Sequence, residues 1–238
     1  MLFDLRGKGR RRTVQVIYLS LAVLMGGGLV LFGIGGATSG GLFDAFSSNN
    51  SSTSTSSIYT KKIKTYKAKV AADPKDEQAW AALTRAQVQQ AGAGGYSQVT
   101  GTYTADGLKQ LQTAADSWQT YLALGPKNPD GNLASLMVNA YSGAALNDPT
   151  KAAEALSVVI DDRGGSSALY SQLAVLWYQA GNVRKSVLAE KSAVARAPAS
   201  QRKLVKARIA AQRKQIDKAK LKEASGGQID NLGGLGGN

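Results

Sequence analysis

The sequence contains no cysteine and no histidine, and only 16 acidic side chains stand against 29 basic ones in 238 residues. Those shortages restrict the chemistry first. Without a thiol or an imidazole there is no cysteine nucleophile, no serine–histidine relay and no common zinc ligand set. Carboxylates remain, but they are adjacent only at Asp76-Glu77 and Asp161-Asp162. Neighbouring helical residues point in different directions, so both pairs read as solvated helix-end residues and not as catalytic dyads. A phosphate-binding glycine loop with its lysine is also missing. The sequence therefore reads as non-enzymatic, with no catalytic, cofactor-binding or metal-binding residues and no cofactor. The lack of cysteine fits an oxidising compartment, where a stray thiol is a liability, and equally fits chance.

Charge is missing altogether from Thr13 to Ile34, an apolar run long enough to cross a hydrocarbon core about 30 Å thick at about 1.5 Å per helical residue. Arg6, Lys8, Arg10, Arg11 and Arg12 crowd the side before it. The positive-inside rule then places a basic tip, 1–12, in the cytoplasm, a single transmembrane helix at 13–36, and the rest of the chain outside the plasma (inner) membrane. A cleaved signal peptide ending near Gly35-Gly36-Ala37 is the alternative, although its apolar region would run only about 7 to 15 residues. Residues 37–57 are Ser/Asn-rich and read as a linker, too polar to offset their ordering entropy by burial.

Beyond the linker the pattern is helical. In Ser167 to Ser200, Leu173, Ala174 and Trp177 precede Gly181, Val183, Ser186, Ala193 and Pro198. Leu173 and Trp177 share a helix face, and Ala174 is small enough for a partner helix to approach at Ser186 and Ala193. Gly181 ends the first helix and Pro198 stops the second. The same spacing recurs at Met137, Val138 and Tyr141, with a return helix of Ala152, Leu156 and Val159 stopped by Gly164-Gly165. It recurs again at Trp80, Leu83 and Thr84, with a return helix of Ala114, Trp118 and Tyr121 closed by Pro126. An inserted loop at 91–103 separates the two halves of this first repeat.

These intervals resemble the tetratricopeptide repeat. The resemblance implies an all-α fold, a tetratricopeptide-like α-solenoid of about three helix pairs over 58–200. One departure is Glu190, where the family usually has an aromatic or aliphatic residue, which suggests a wetter outer face. Flanking helices are expected to cap the array. The first runs from Ile58 to Ala72, with Ile58, Ile63, Tyr66 and Val70 on one face. The second is a basic helix at 201–224, with Leu204, Ile209, Ile216 and Leu221 as its apolar anchors. A glycine-rich flexible tail, 225–238, follows. The cationic surfaces of the two caps leave open plain solvation, attraction to anionic lipid or an acidic partner, and nucleic acid. The last is unlikely because the basic helix lacks interleaved aromatics.

The family binds on its concave face, lined by the first helix of each pair. Carried over, that face is Gln78, Arg85 and Gln89, then Asn132, Ser135 and Asn139, then Ser171, Val175 and Gln179. The groove is polar and nearly uncharged. Some family members clamp a C-terminal carboxylate with Lys, Arg and Asn, but Arg85 is the only cation here. The layout as a whole is similar to bacterial envelope tetratricopeptide proteins that accompany the protein-translocation channel. Two roles follow. One is a membrane-anchored adaptor for a protein or peptide partner outside the cytoplasm; the other is a homo-oligomeric structural component that self-associates through its end helices and glycine-rich span.

Overall fold

The computed structural model describes residues 52–224 as helices, turns and one small hairpin, with side chains placed from Ser57 to Glu223. The basic tip, the apolar run 13–36, most of the 37–57 linker and the 225–238 tail lie outside the described residues. Among the described residues no helix is long and apolar enough to cross a membrane.

The fold is all-α. Eight helices follow in order among the described residues: α1 (Ser52–Ala72), α2 (Glu77–Gly95), α3 (Ala105–Ala123), α4 (Gly131–Ala140), α5 (Pro149–Arg163), α6 (Ser167–Gln179), α7 (Val183–Arg196) and α8 (Arg202–Ala224). Each helix from α2 to α7 begins at a short polar residue whose side chain accepts from a backbone amide three positions on. These are Asp76, Thr104, Asp130, Asp148, Ser166 and Asn182. Such a cap is worth about 1 kcal/mol, and here it fixes where every core helix starts. Asp148 is followed by Pro149 in the first helical position, where the absent N–H costs nothing. Gly164 and Gly181 take positive φ angles of 80° and 76° after α5 and α6, which turns the chain back for the next helix.

The helices pack as consecutive pairs, α2 with α3, α4 with α5 and α6 with α7, and each pair packs on the next through α2–α4, α3–α4 and α5–α6 contacts. One continuous core runs through the pairs, from Ala91 to Ile209, with Trp118, Tyr141, Leu111, Leu133 and Met137 as its largest fully buried side chains. The spaced positions Leu83, Thr84, Ala114, Trp118, Met137, Leu156, Ala174 and Ala193 are all buried. Trp118 lies 5.4 Å from Tyr121 between ring centroids. A smaller cluster of Val70, Ala79 and Leu83 joins α1 to α2, with Ile63, Tyr66 and Trp80 packed against it.

Several boundaries differ from the sequence reading. Helix α1 starts at Ser52, so the last residues of the 37–57 linker are helical. Ile58 stays exposed, and the packing face of α1 begins at Ile63. The expected loop 91–103 is mostly not a loop: α2 continues to Gly95, and only Tyr96–Ser97 (β1) and Thr102–Tyr103 (β2) form a short antiparallel hairpin. The glycine-rich Ala91 to Gly95 stays helical because Ala91 is fully buried and Gly95 meets Gly107 of α3 backbone to backbone. Tertiary packing there overrides a poor helix propensity. Finally, Leu204 and Leu221 are 50% and 69% exposed, so α8 is anchored by Ile209 and Val205 and not by all four expected residues.

Candidate functional site

The nine residues expected to line a groove come from α2, α4 and α6, the first helix of each pair. Gln78, Asn132, Asn139 and Gln179 are exposed, while Arg85, Gln89, Ser135, Ser171 and Val175 are half-buried. Their polar atoms are committed to different degrees. Ser135 and Ser171 donate their hydroxyls to the carbonyls of Gly131 and Ser167, at 2.9 and 2.7 Å, inside their own helices. Neither hydroxyl proton is free for a ligand.

Arg85 is spoken for as well. Its Nη2 lies 2.5 Å from Asp130 Oδ2, and the other oxygen of Asp130 accepts the Leu133 amide that starts α4. The Asp130 amide in turn donates to the Tyr121 hydroxyl at 3.0 Å. Burial, the main cause, pushes the Tyr121 phenol above its ordinary pKa. Arg85 thus ties α2 to the cap of α4 through one of its terminal nitrogens.

Sequence spacing missed a second cation at this face. Arg163, the last residue of α5, donates from Nη2 to Asn132 Oδ1 at 2.5 Å, and its Nε lies 3.8 Å from Asp162. The approach is possible because residue 131 is glycine: a Cβ there would fall 2.2 Å from Asp162 Oδ2. Gln87, beside the predicted residues on α2, is 4% exposed, and its Oε1 has no partner among the described residues. No pattern in the sequence singles out either residue, because both depend on a helix that arrives from elsewhere in the chain.

At the far end, α8 lies against α6 and α7. Arg213 enters between them, with Nη1 2.6 Å from Glu190 Oε2 and Nη2 2.8 Å from Ser186 Oγ. The Ser186 hydroxyl donates to the Ala174 carbonyl at 2.6 Å, so one short chain of hydrogen bonds links α6, α7 and α8. The guanidinium also sits 5.3 Å from the Tyr178 ring centroid. Tyr178 donates to Asp217, and Lys220 donates to the Gln179 carbonyl, so α8 reaches the last of the predicted groove residues. The Asp217 hydrogen bond is the largest cause that raises the Tyr178 pKa. Glu190 was expected to leave the outer face wet. Instead its side chain is 15% exposed, and it is the acid that receives Arg213.

The described residues hold no group of three or more carboxylates that could take a metal ion. No protein-family model matches the chain, and neither a curated protein nor a solved structure is detectably similar to it. What the site does must therefore be argued from its own side chains.

Proposed function

We propose that the chain is a non-enzymatic, membrane-anchored adaptor whose tetratricopeptide-like helix pairs hold a protein or an exported polypeptide on the extracytoplasmic side, in support of translocation or envelope assembly. One observation carries this reading. The first helices of successive pairs present the exposed amides Gln78, Asn139 and Gln179, with Asn132 beside them holding Arg163 through its oxygen, and no carboxylate–histidine or carboxylate–cysteine chemistry anywhere in the sequence. Side-chain amides both donate and accept, so a row of them suits the backbone of an extended peptide with little regard for its sequence. Stacked helix pairs offer such rows because each pair contributes an equivalent helix to one continuous surface. The apolar run 13–34 is the proposed tether.

Photo-crosslinking from Asn139 and Val175 in native membranes tests this reading. Adducts to exported chains or to translocation-channel subunits support the adaptor. Adducts only to the protein itself favour a self-associating structural component, a role for which the exposed Leu204 and Leu221 on α8 supply apolar contacts. Absence of any adduct removes the groove.

A further inference from the structure

Helix α7 and the start of α8 border an open cleft of about 380 Å³ lined by Glu190, Lys191, Val194, Ala195, Arg202 and Lys206. That volume falls within the range of about 300 to 1,000 Å³ typical of binding pockets. Val194, half-buried, and Ala195, exposed, supply its apolar surface. Lys191 stands on the α7 rim, and Arg202 and Lys206, one helical turn apart, stand on the α8 rim.

The electrostatics are one-sided. Glu190 is the only acid in the lining, and Arg213 neutralises it at 2.6 Å from the far side. None of the three cations has a carboxylate within ion-pair reach among the described residues. Arg202 is partly fixed: its Nε donates to the Ala197 carbonyl at 3.3 Å, which leaves its terminal nitrogens to a ligand. Three like charges gathered on opposite rims of one cleft repel one another unless an anion lies between them.

We infer that this cleft binds an acidic peptide segment, one whose carboxylates reach Lys191 on one rim and Arg202 and Lys206 on the other while a small apolar side chain rests on Val194 and Ala195. Cations on two rims match an extended peptide, whose successive side chains point to opposite sides. The site does not depend on the amide row of α2, α4 and α6. A partner could engage both surfaces or either one alone.

The full-length chain, in neutral detergent micelles, can be titrated against a fluorescein-labelled peptide Asp-Asp-Leu-Asp-Asp blocked at both ends. Saturable anisotropy is expected, and the same peptide with Asn for every Asp should bind at least about tenfold more weakly, since exposed charge pairs supply most of the recognition. The double variant Lys191→Glu and Lys206→Glu should lose about tenfold or more in affinity, for the same reason. A second double variant, Lys214→Glu and Lys218→Glu, makes the same change in net charge further along α8. It should shift the affinity less than about twofold, because charges beyond a Debye length of about 8 to 10 Å are screened at ordinary salt. All four positions are exposed, and unchanged circular dichroism verifies that the variants fold. Equal losses in the two double variants would overturn the site in favour of general charge attraction. Binding of short-chain phosphatidylglycerol without binding of the peptide would overturn the peptide in favour of lipid. Loss of the amide-row crosslinks with this titration intact would remove the adaptor reading and leave the cleft standing.

Discussion

Arg213 of α8 and Glu190 of α7 form an ion pair at 2.6 Å, with only 19% and 15% of their side chains exposed. The pair has little water around it, and Arg213 Nε has no hydrogen-bond partner among the described residues. Removal of either member leaves the other charge stranded. Breaking a fully buried pair costs about 3–5 kcal/mol, and the residual exposure lowers that here to about 2–3 kcal/mol. Glu190→Ala should therefore destabilise by that amount in urea titration. The joint change Arg213→Met with Glu190→Leu should recover most of it, because two apolar side chains of similar size leave no charge to solvate. Hydrogen exchange in α8 should rise in the single variant and not in the double one.

A second prediction concerns the crossing of α2 and α3. A Cβ on Gly107 would fall 2.3 Å from the Gly95 carbonyl oxygen, and all three of its nearest atoms are backbone. Gly107→Ala should cost at least about 1–3 kcal/mol, since neither helix can move aside without disturbing the core. Gly92, also in α2, has nothing within 4 Å of the equivalent position. Gly92→Ala should be neutral or stabilise by up to about 1 kcal/mol through helix propensity. In thermal melts the Gly107→Ala midpoint should fall and the Gly92→Ala midpoint should hold or rise.

The pH dependence lies on the alkaline side. Tyr178 has a raised pKa, chiefly because it donates to Asp217, and Tyr103, Tyr121 and Tyr141 have raised values chiefly because of burial. A phenol whose folded pKa lies above its unfolded value of about 10 favours the folded state below that pH, and the contribution is lost as pH rises through the folded pKa. The fold should thus weaken above about pH 10, the unperturbed tyrosine value. Absorbance at the tyrosinate band should show ionisation later than in the urea-unfolded chain. Asp217→Ala should advance one of those ionisations and leave the three buried ones unchanged.

Arg85 supplies a fourth test. Its pair with Asp130 is 39% and 32% exposed, so Arg85→Gln should cost no more than about 1 kcal/mol. The proposed peptide contacts come from amides, so crosslinking from Asn139 should survive the change. Loss of crosslinking in a folded Arg85→Gln variant would show that a carboxylate clamp operates after all.

The parts of this fold that were legible in the sequence are local. Leu173 with Trp177, and Gly164 and Gly181 at helix ends, each act within one or two helical turns, and each stands where the spacing placed it. What the spacing could not reveal depends on pairs distant in the chain. Glu190 looked like a surface residue because its partner Arg213 lies 23 positions on, and Arg163 meets Asn132 across 31. The helical Ala91 to Gly95 was misread for the same reason, since a glycine cluster is a loop signal unless another glycine lies opposite. The apolar run 13–34 falls outside the described residues; with single cysteines in place of Leu5 or Ser54, an impermeant thiol reagent on intact cells should label position 54 and spare position 5.

The hairpin between α2 and α3 has a further practical value. Its strands are tied by Tyr96 and Tyr103, whose rings meet edge to face at 5.1 Å, while Val99 at the tip is 97% exposed. The rings fasten the stem, so the tip can lengthen without pulling on the helices, and loop extension costs little entropy. A reporter sequence spliced in at Val99 would ride on the outside of an intact helical fold, a handle for following this chain in living cells.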